Sequence, residues 1–234
     1  MREKNIAIVL AAGRGKRMQS AVPKQYLLLQ NKPVLYYSLK AFEECTFIDE
    51  IILVTQPEEI AYCREEIIKN YAFSKVTQIL GGGTERYLSV YEGLKSIEDC
   101  TYVYIHDGAR PFLDQGILDR VHRAVKEYHA CVAAMPAKDT IKIAGRDLFA
   151  QETPERSRVW MVQTPQVFEY SLIKNAYQKL IERKISSVTD DAMVLEMMED
   201  KNVKLVEGSY RNIKITTPED IDIAEVYVKK IEKE

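Results

Sequence analysis

The chain has 234 residues, with 33 Lys+Arg against 35 Asp+Glu and a formal net charge of −2; this balance excludes a surface built to coat nucleic acid or an anionic membrane, so any anion site must be local. Hydrophobic content of 46%, charged content of 29% and eight prolines are ordinary for a globular fold and exclude collagen-like and disordered classes. A chain of this size buries about 70% of its unfolded surface, enough for one core without cross-links, so Cys45, Cys63, Cys100 and Cys131, none of them in a C-x-x-C, are expected to be reduced thiols of a cytosolic protein.

In chain order, the first apolar run is IAIVLAA at 6–12. Arg14, Lys16 and Arg17 follow it at once, so it reads as a core strand ending in a glycine loop rather than as a signal peptide. Similar β-rich runs recur at 50–55 (EIILVT), 75–80 (KVTQIL), 101–106 (TYVYIH) and 130–135 (ACVAAM). Apolar residues at consecutive positions mark strands covered on both faces. No run approaches the roughly 18 residues that a membrane-spanning helix needs.

Amphipathic stretches separate these runs, after Pro33, Glu58 and Thr84, and then at Ile117, Leu118, Val121, Ala124, Val125 and Tyr128, a face of period 3.6. Strands alternating with helices predict a mostly parallel, Rossmann-like α/β sheet flanked by helices. Between 136 and 160 the pattern changes: TIKIAGRDLFA predicts a hairpin around Gly145, and TPERSR a polar connection, together a protruding β-arm at about 137–159. A last helix opens at TTPEDI, where Thr217 is a candidate cap, Pro218 suits the first turn, and Glu219 and Asp220 face the positive helix end. His106, His122 and His129 show no zinc-ligand spacing with the cysteines.

Three segments carry chemistry. LAAGRGKRM at 10–18, with PKQY at 23–26, places glycines at the carboxyl end of a strand, where backbone N–H groups can approach phosphate. It has G-x-G-x-x-M where a dinucleotide fingerprint has a third glycine, and Arg17 where a P-loop has Ser or Thr. What remains is a loop with Arg14, Lys16, Arg17 and Lys24, suited to a polyphosphate or, more plainly, a turn with solvated basic residues. Gly81, Gly82 and Gly83 precede Arg86 and Ser89, which places Arg86 in a first helical turn beside that loop. In IHDGARPF at 105–112, Asp107 ends a strand facing the phosphate loop, a position able to hold Mg²⁺ against phosphate oxygens, whereas His106 points to the other face.

The series LAAGRGKRM, PKQY, GGGTERYLSV, HDGARPF, DTIK, QTPQVF, TDDA and NIKITTPEDI resembles, in order and spacing, the 2-C-methyl-D-erythritol 4-phosphate cytidylyltransferase family of the nucleotidyltransferase superfamily, over about residues 5–228. The resemblance implies one catalytic domain over residues 1–234 that transfers CMP from CTP to the acceptor with a divalent cation such as Mg²⁺, in the non-mevalonate isoprenoid pathway. It implies that Ala12, Gly13 and Gly15 line the nucleotide, that Arg17 and Lys24 embrace the triphosphate, and that Lys214 reaches the α-phosphate. Gly82, Arg86 and Ser89 would lie at cytosine and ribose, and Asp107 by the metal. Arg110, Thr140, Arg156, Thr164 and Thr189 would take the acceptor, with Thr140 and Arg156 reaching a partner's site through an arm exchanged in a homodimer.

Gly108 departs from the pattern, standing where HDAAR is usual, and is expected to loosen the backbone beside Asp107. Two other readings stay open. A ribitol 5-phosphate cytidylyltransferase shares the nucleotide half and NIKITTP, although the AAG loop, DTIK and Arg156 favour methylerythritol phosphate. A non-catalytic nucleotide-binding module would keep the fold, yet it has no need of cations on both sides of the α-phosphate.

Overall fold

A computed structural model describes residues 3–13, 15, 18 and 22–231. The chain runs β1 (Asn5–Leu10), β2 (Leu28–Leu29), β3 (Lys32–Pro33), α1 (Val34–Glu43) and β4 (Glu50–Thr55), then α2 (Ile60–Tyr62), continued by a π-helical stretch, Cys63–Lys69. Next come β5 (Val76–Gly81), α3 (Arg86–Lys95), β6 (Tyr102–Asp107), α4 (Gln115–Tyr128), β7 (Ala130–Pro136), β8 (Ile143–Ala144) and β9 (Ala150–Glu152). The chain ends with β10 (Trp160–Glu169), α5 (Tyr170–Glu182), α6 (Asp191–Glu199), β11 (Lys204–Glu207) and α7 (Pro218–Ile231).

Seven strands form one sheet in the order β11-β7-β10-β6-β1-β4-β5. Every neighbouring pair is parallel except those made by β10, which runs antiparallel to both β6 and β7. The expected α/β architecture is therefore the observed one. Strand β1 shows why it was legible: Ala7 and Val9 pack with Leu35, Leu39 and Phe42 of α1 and with Ile117, Val121 and Val125 of α4. Ile6, Ile8 and Leu10 pack on the other face with Val90 and Leu94 of α3 and with residues of α5 and α6. Both faces are dry, so alternation disappears from the sequence.

Helix α4 is capped as its sequence allows: Asp114 Oδ1 accepts the Ile117 N–H at 2.8 Å, and His129 leaves the helix at φ 64°. Its apolar stripe is narrower than expected, because Tyr128 is exposed and lies beneath Lys204 Nζ. At α7 the expected capping is reversed: Asp220 Oδ2, inside the helix, accepts from the backbone N–H groups of Thr216 and Thr217 at 2.7 and 2.9 Å. A small cluster of Met18, Leu29, Val34, Phe112, Ile215, Ala224 and Val228 seats this helix close to the first loop.

The segment at 137–159 leaves the sheet. Ala137 N–H donates to Val159 O at its base, β8 and β9 pair antiparallel, and the turn at Gly145 exposes Leu148 and Phe149 at the tip. No helix among the described residues is long and apolar enough to cross a membrane.

Candidate active site

Four loops meet at the carboxyl ends of β1, β5 and β6 because hydrogen bonds tie each to the next. Gly108 N–H donates to Leu10 O, Gly82 N–H to Thr55 O, and Ile215 N–H to Ala109 O, all at 2.7–2.8 Å. Lys24 Nζ reaches Ile215 O at 2.8 Å, which joins PKQY to NIKIT. The carbonyls of Ala11 and Ala12 are held by the side-chain amides of Gln25 and Gln56. Gly15 takes φ +60°, a conformation that side chains resist, and its carbonyl accepts the Met18 N–H.

The loops enclose a cavity of about 790 Å³. Ala12, Gly13, Gly15, Lys24, Gly82, Arg86, Ser89, Asp107 and Lys214 all line it, together with Gln25, Gln56 and Thr84. Space explains Gly82 but does not demand Gly13. A Cβ on Gly82 would fall 2.6 Å from Ser89 Oγ and 2.7 Å from Ala12 Cβ, whereas Gly13 has nothing within 4 Å and opens to the cavity. Ser89 Oγ accepts the Gly83 N–H at 3.1 Å, so the base of α3 is fastened to the glycine turn. Arg14, Lys16 and Arg17 lie outside the described residues.

Asp107 is the electrostatic centre. Its Oδ1 accepts from Arg86 Nε at 3.1 Å, and its Oδ2 lies 2.7 Å from Lys214 Nζ and 3.9 Å from Arg110 Nε. Burial alone would raise this carboxyl, but the charges of Arg86, Lys214 and Arg110 outweigh it and hold Asp107 well below the usual carboxylate range. Arg110 is itself pulled below its ordinary value, chiefly by burial, against the opposing charge of Asp107.

His106 points away from the cavity, as its strand position requires, and its ring meets that of Phe42 edge-on at 5.4 Å between centroids. Its Nε2 lies 3.2 Å from Arg110 O, which can only accept, so Nε2 carries the hydrogen and Nδ1 accepts from Thr164 Oγ1 at 3.0 Å. Thr164 Oγ1 in turn accepts the Asp107 N–H at 3.1 Å. Burial drives the His106 pKa down to about 4.

Of the five residues expected at the acceptor, Thr164 and Arg110 meet Asp107 and the other three lie apart from the cavity. Thr164 is buried under Asp107 with its hydroxyl engaged, and Arg110 sits beside it, its Nη1 donating to Asn212 O at 2.7 Å. Thr189 is exposed just ahead of α6, and Thr140 and Arg156 are exposed on the arm. None of the five lines the cavity. Gly108 is likewise unlike its expectation. A Cβ there would meet Leu35 Cδ1 at 2.9 Å and Leu10 O at 3.0 Å, so the glycine lets α1 and the strand close in rather than loosening the turn.

Residues that motif reasoning passed over complete the site. Asp191 receives both Arg86 Nη groups, Gln166 holds the start of α6, and Asn212 Nδ2 donates to Thr164 O at 2.8 Å. One signal was present: TDDA offers two successive carboxylates at a helix start, where a cap needs one.

A glycine-lined cavity at the carboxyl ends of parallel strands, lined by Lys24 and Lys214 and by the buried carboxylate of Asp107, defines a phosphate-handling nucleotide site of the α/β class. Residues 5–230 match the model of the family 2-C-methyl-D-erythritol 4-phosphate cytidylyltransferase, and the chain belongs to that family. The chain is 54% identical to the protein of that name from Lachnospira eligens, over 96% of this chain and 99% of the other. It is 48% identical to that from Caldanaerobacter subterraneus subsp. tengcongensis, over 96% and 98%. A crystal structure from Anaerococcus prevotii, described as 4-diphosphocytidyl-2C-methyl-D-erythritol synthase, superposes with a TM-score of 0.82 at 35% identity, covering 97% of this chain and 99% of that one.

Proposed function

We propose that this chain transfers the cytidylyl group of CTP to 2-C-methyl-D-erythritol 4-phosphate, releasing pyrophosphate, as a step of isoprenoid synthesis. The observation that carries the reading is the convergence of Lys24, Lys214, Arg86 and Asp107 on one glycine-lined cavity in a member of this family. A phosphate oxygen of the acceptor attacks the α-phosphorus of CTP, the bond to the β-phosphate oxygen breaks, and pyrophosphate carries away the electron pair. No proton has to be removed, because a phosphate monoester is largely a dianion above its second pKa of about 6. Acceleration then rests on positioning and on charge placed where the equatorial oxygens develop it. Lys24 and Lys214, both lining the cavity, supply that charge, with Arg17 assigned to the same task.

The donor set suits a divalent cation that arrives with the triphosphate. Asp107 offers one carboxylate to the cavity, and the described residues contain no group of three His, Cys, Asp or Glu side chains able to hold a metal. Mg²⁺ bound by phosphate oxygens and Asp107 would neutralise phosphate charge there. Ala12, Gly13, Gly15, Gly82 and Ser89 receive the nucleoside, Arg110 and Thr189 are assigned to the acceptor, and Thr164, buried beneath Asp107, supports that corner from below. The chain is read as a single catalytic domain whose arm, at 137–159, carries Thr140 and Arg156 to the partner's cavity in a homodimer. Exposed Leu148 and Phe149 at its tip support that reading, and four free cysteines agree with a cytosolic location.

The test is pyrophosphate release from each of four nucleoside triphosphates, with methylerythritol phosphate or ribitol 5-phosphate as acceptor and Mg²⁺ present. Turnover with CTP and methylerythritol phosphate is expected. Turnover with ribitol phosphate alone would transfer the reading to that acceptor, and binding of CTP without turnover would make the protein a nucleotide-binding module.

A further inference from the structure

The carboxylate of Asp191 has no accessible surface, and its place in the fold does not call for a charge. The N-terminus of α6 is capped by others: Asp190 Oδ1 accepts the Met193 N–H at 3.0 Å, and Gln166 Oε1 accepts the N–H groups of Asp191 and Ala192 at 3.0 and 2.9 Å. Asp191 instead receives Arg86 as a fork, Nη1 to Oδ1 at 2.9 Å and Nη2 to Oδ2 at 2.8 Å, while Tyr177 Oη donates to Oδ1 at 2.6 Å. A buried ion pair is often no more stabilising than apolar residues of the same volume, so stability alone is a weak reason for this one.

What the pair does is geometric. One N–H of each Nη goes to Asp191, and Nε, oriented by that fork, points at Asp107 Oδ1. We propose that Asp191 is a positioning residue, which locks Arg86 as a fixed counter-ion and orienting donor for Asp107. The proposal rests on the cytidylyltransferase reading and assigns work within that site. Its consequence is a division of the Asp107 carboxylate. Oδ1 stays anchored through Arg86 to α6, and Oδ2, held by Lys214 at 2.7 Å, is the oxygen that faces the nucleotide when Lys214 turns to phosphate. Strand β10 underlies both halves of the device, because Thr164 receives the Asp107 N–H and Gln166, two residues on, holds the start of α6.

The experiment compares wild type, D191N, R86M and the double variant for kcat, CTP KM and urea stability. D191N is expected to lower kcat by about 10- to 100-fold, the cost of misplacing a reacting group, with CTP KM within about threefold. Because Asp191 acts through Arg86, D191N added to R86M lowers kcat no further, and it recovers stability that R86M loses by leaving a buried carboxylate alone. Unchanged kcat in D191N, a rise in CTP KM at constant kcat, or kcat losses that multiply in the double variant would each overturn the proposal. If R86M or D191N does not fold, R86K keeps a charge beside Asp191 without the fork, and wild-type kcat in R86K overturns it as well. NMR of the free protein separates this idea from the functional reading: the Arg86 Nε–H is expected to be protected from exchange in wild type and unprotected in D191N. Protection that persists in D191N refutes the locking of Arg86, whether or not methylerythritol phosphate proves to be the acceptor.

Discussion

Gly82→Ala is the perturbation whose outcome the geometry specifies most closely. The added methyl would stand 2.7 Å from Ala12 Cβ and 2.6 Å from Ser89 Oγ, about 0.7 Å or more inside a normal carbon contact. Ser89 can rotate, but it then gives up the Gly83 N–H that it accepts at 3.1 Å. Ala12 cannot rotate away, since its Cβ is fixed to a backbone whose carbonyl Gln56 holds. Overpacking of this kind costs about 1–3 kcal/mol. At about 2 cal/mol/K of unfolding entropy per residue, a chain of this length loses about 2 °C per kcal/mol, so Tm is expected to fall by about 2–6 °C. Because the displaced backbone lines the cavity, kcat/KM for CTP is expected to fall by about 10²-fold, the cost of a shift of about 1 Å at a reacting geometry. Thermal unfolding and steady-state pyrophosphate release measure both effects. Ala12→Gly in the same chain removes the contact that cannot yield and should restore most of each loss, whereas Ser89→Ala should restore less. Wild-type Tm and kcat/KM in Gly82→Ala, or rescue by Ser89→Ala alone, would refute the reasoning.

Lys24→Ala and Lys214→Ala should each lower turnover on the order of 10²- to 10³-fold, as loss of one preorganised donor does elsewhere; near-normal turnover with unchanged Tm in either would remove it from the mechanism. His106 ties stability to pH. Its pKa is about 4 in the fold, lowered by burial from an ordinary 6.5, so its stabilising contribution is complete above pH 6.5 and declines as pH falls toward 4, by about 3 kcal/mol in all. Urea titrations at pH 7 and pH 4 should show that loss in wild type and not in His106→Gln, while the pH profile of turnover stays the same because no base is needed. An acidic limb lost in His106→Gln would place the imidazole in the chemistry as a base. On the proposed homodimer, wild type should sediment as a dimer and Leu148→Glu with Phe149→Glu as a monomer; an unchanged sedimentation coefficient would separate the arm tip from assembly.

How far the sequence was readable depends on how far each constraint acts along the chain. Strand β1 and the turn at Gly15 depend on near neighbours: one is apolar at every position after Asn5 because both its faces are covered, and the other needs a positive φ that glycine tolerates. Such features leave a local mark, and through them the nucleotide half of the cavity is visible in the residues themselves. The Arg86–Asp191 fork spans 105 positions and exists because α5 and α6 pack beside α3 on one face of the sheet. Nothing near either residue reports the other, so the doubled acid in TDDA could mark a surplus carboxylate but not its partner. Thr164 shows the same limit in a different way. Its motif placed it near the chemistry, yet what its hydroxyl does is decided by β10 lying antiparallel against β6, which sets it under His106 and Asp107. For Thr140 and Arg156 even the folded chain is too small a frame, because a side chain exposed on an arm acquires its role from what the arm touches. The boundary therefore falls between contacts made within a loop and contacts made by packing or assembly, and it runs through the middle of this site.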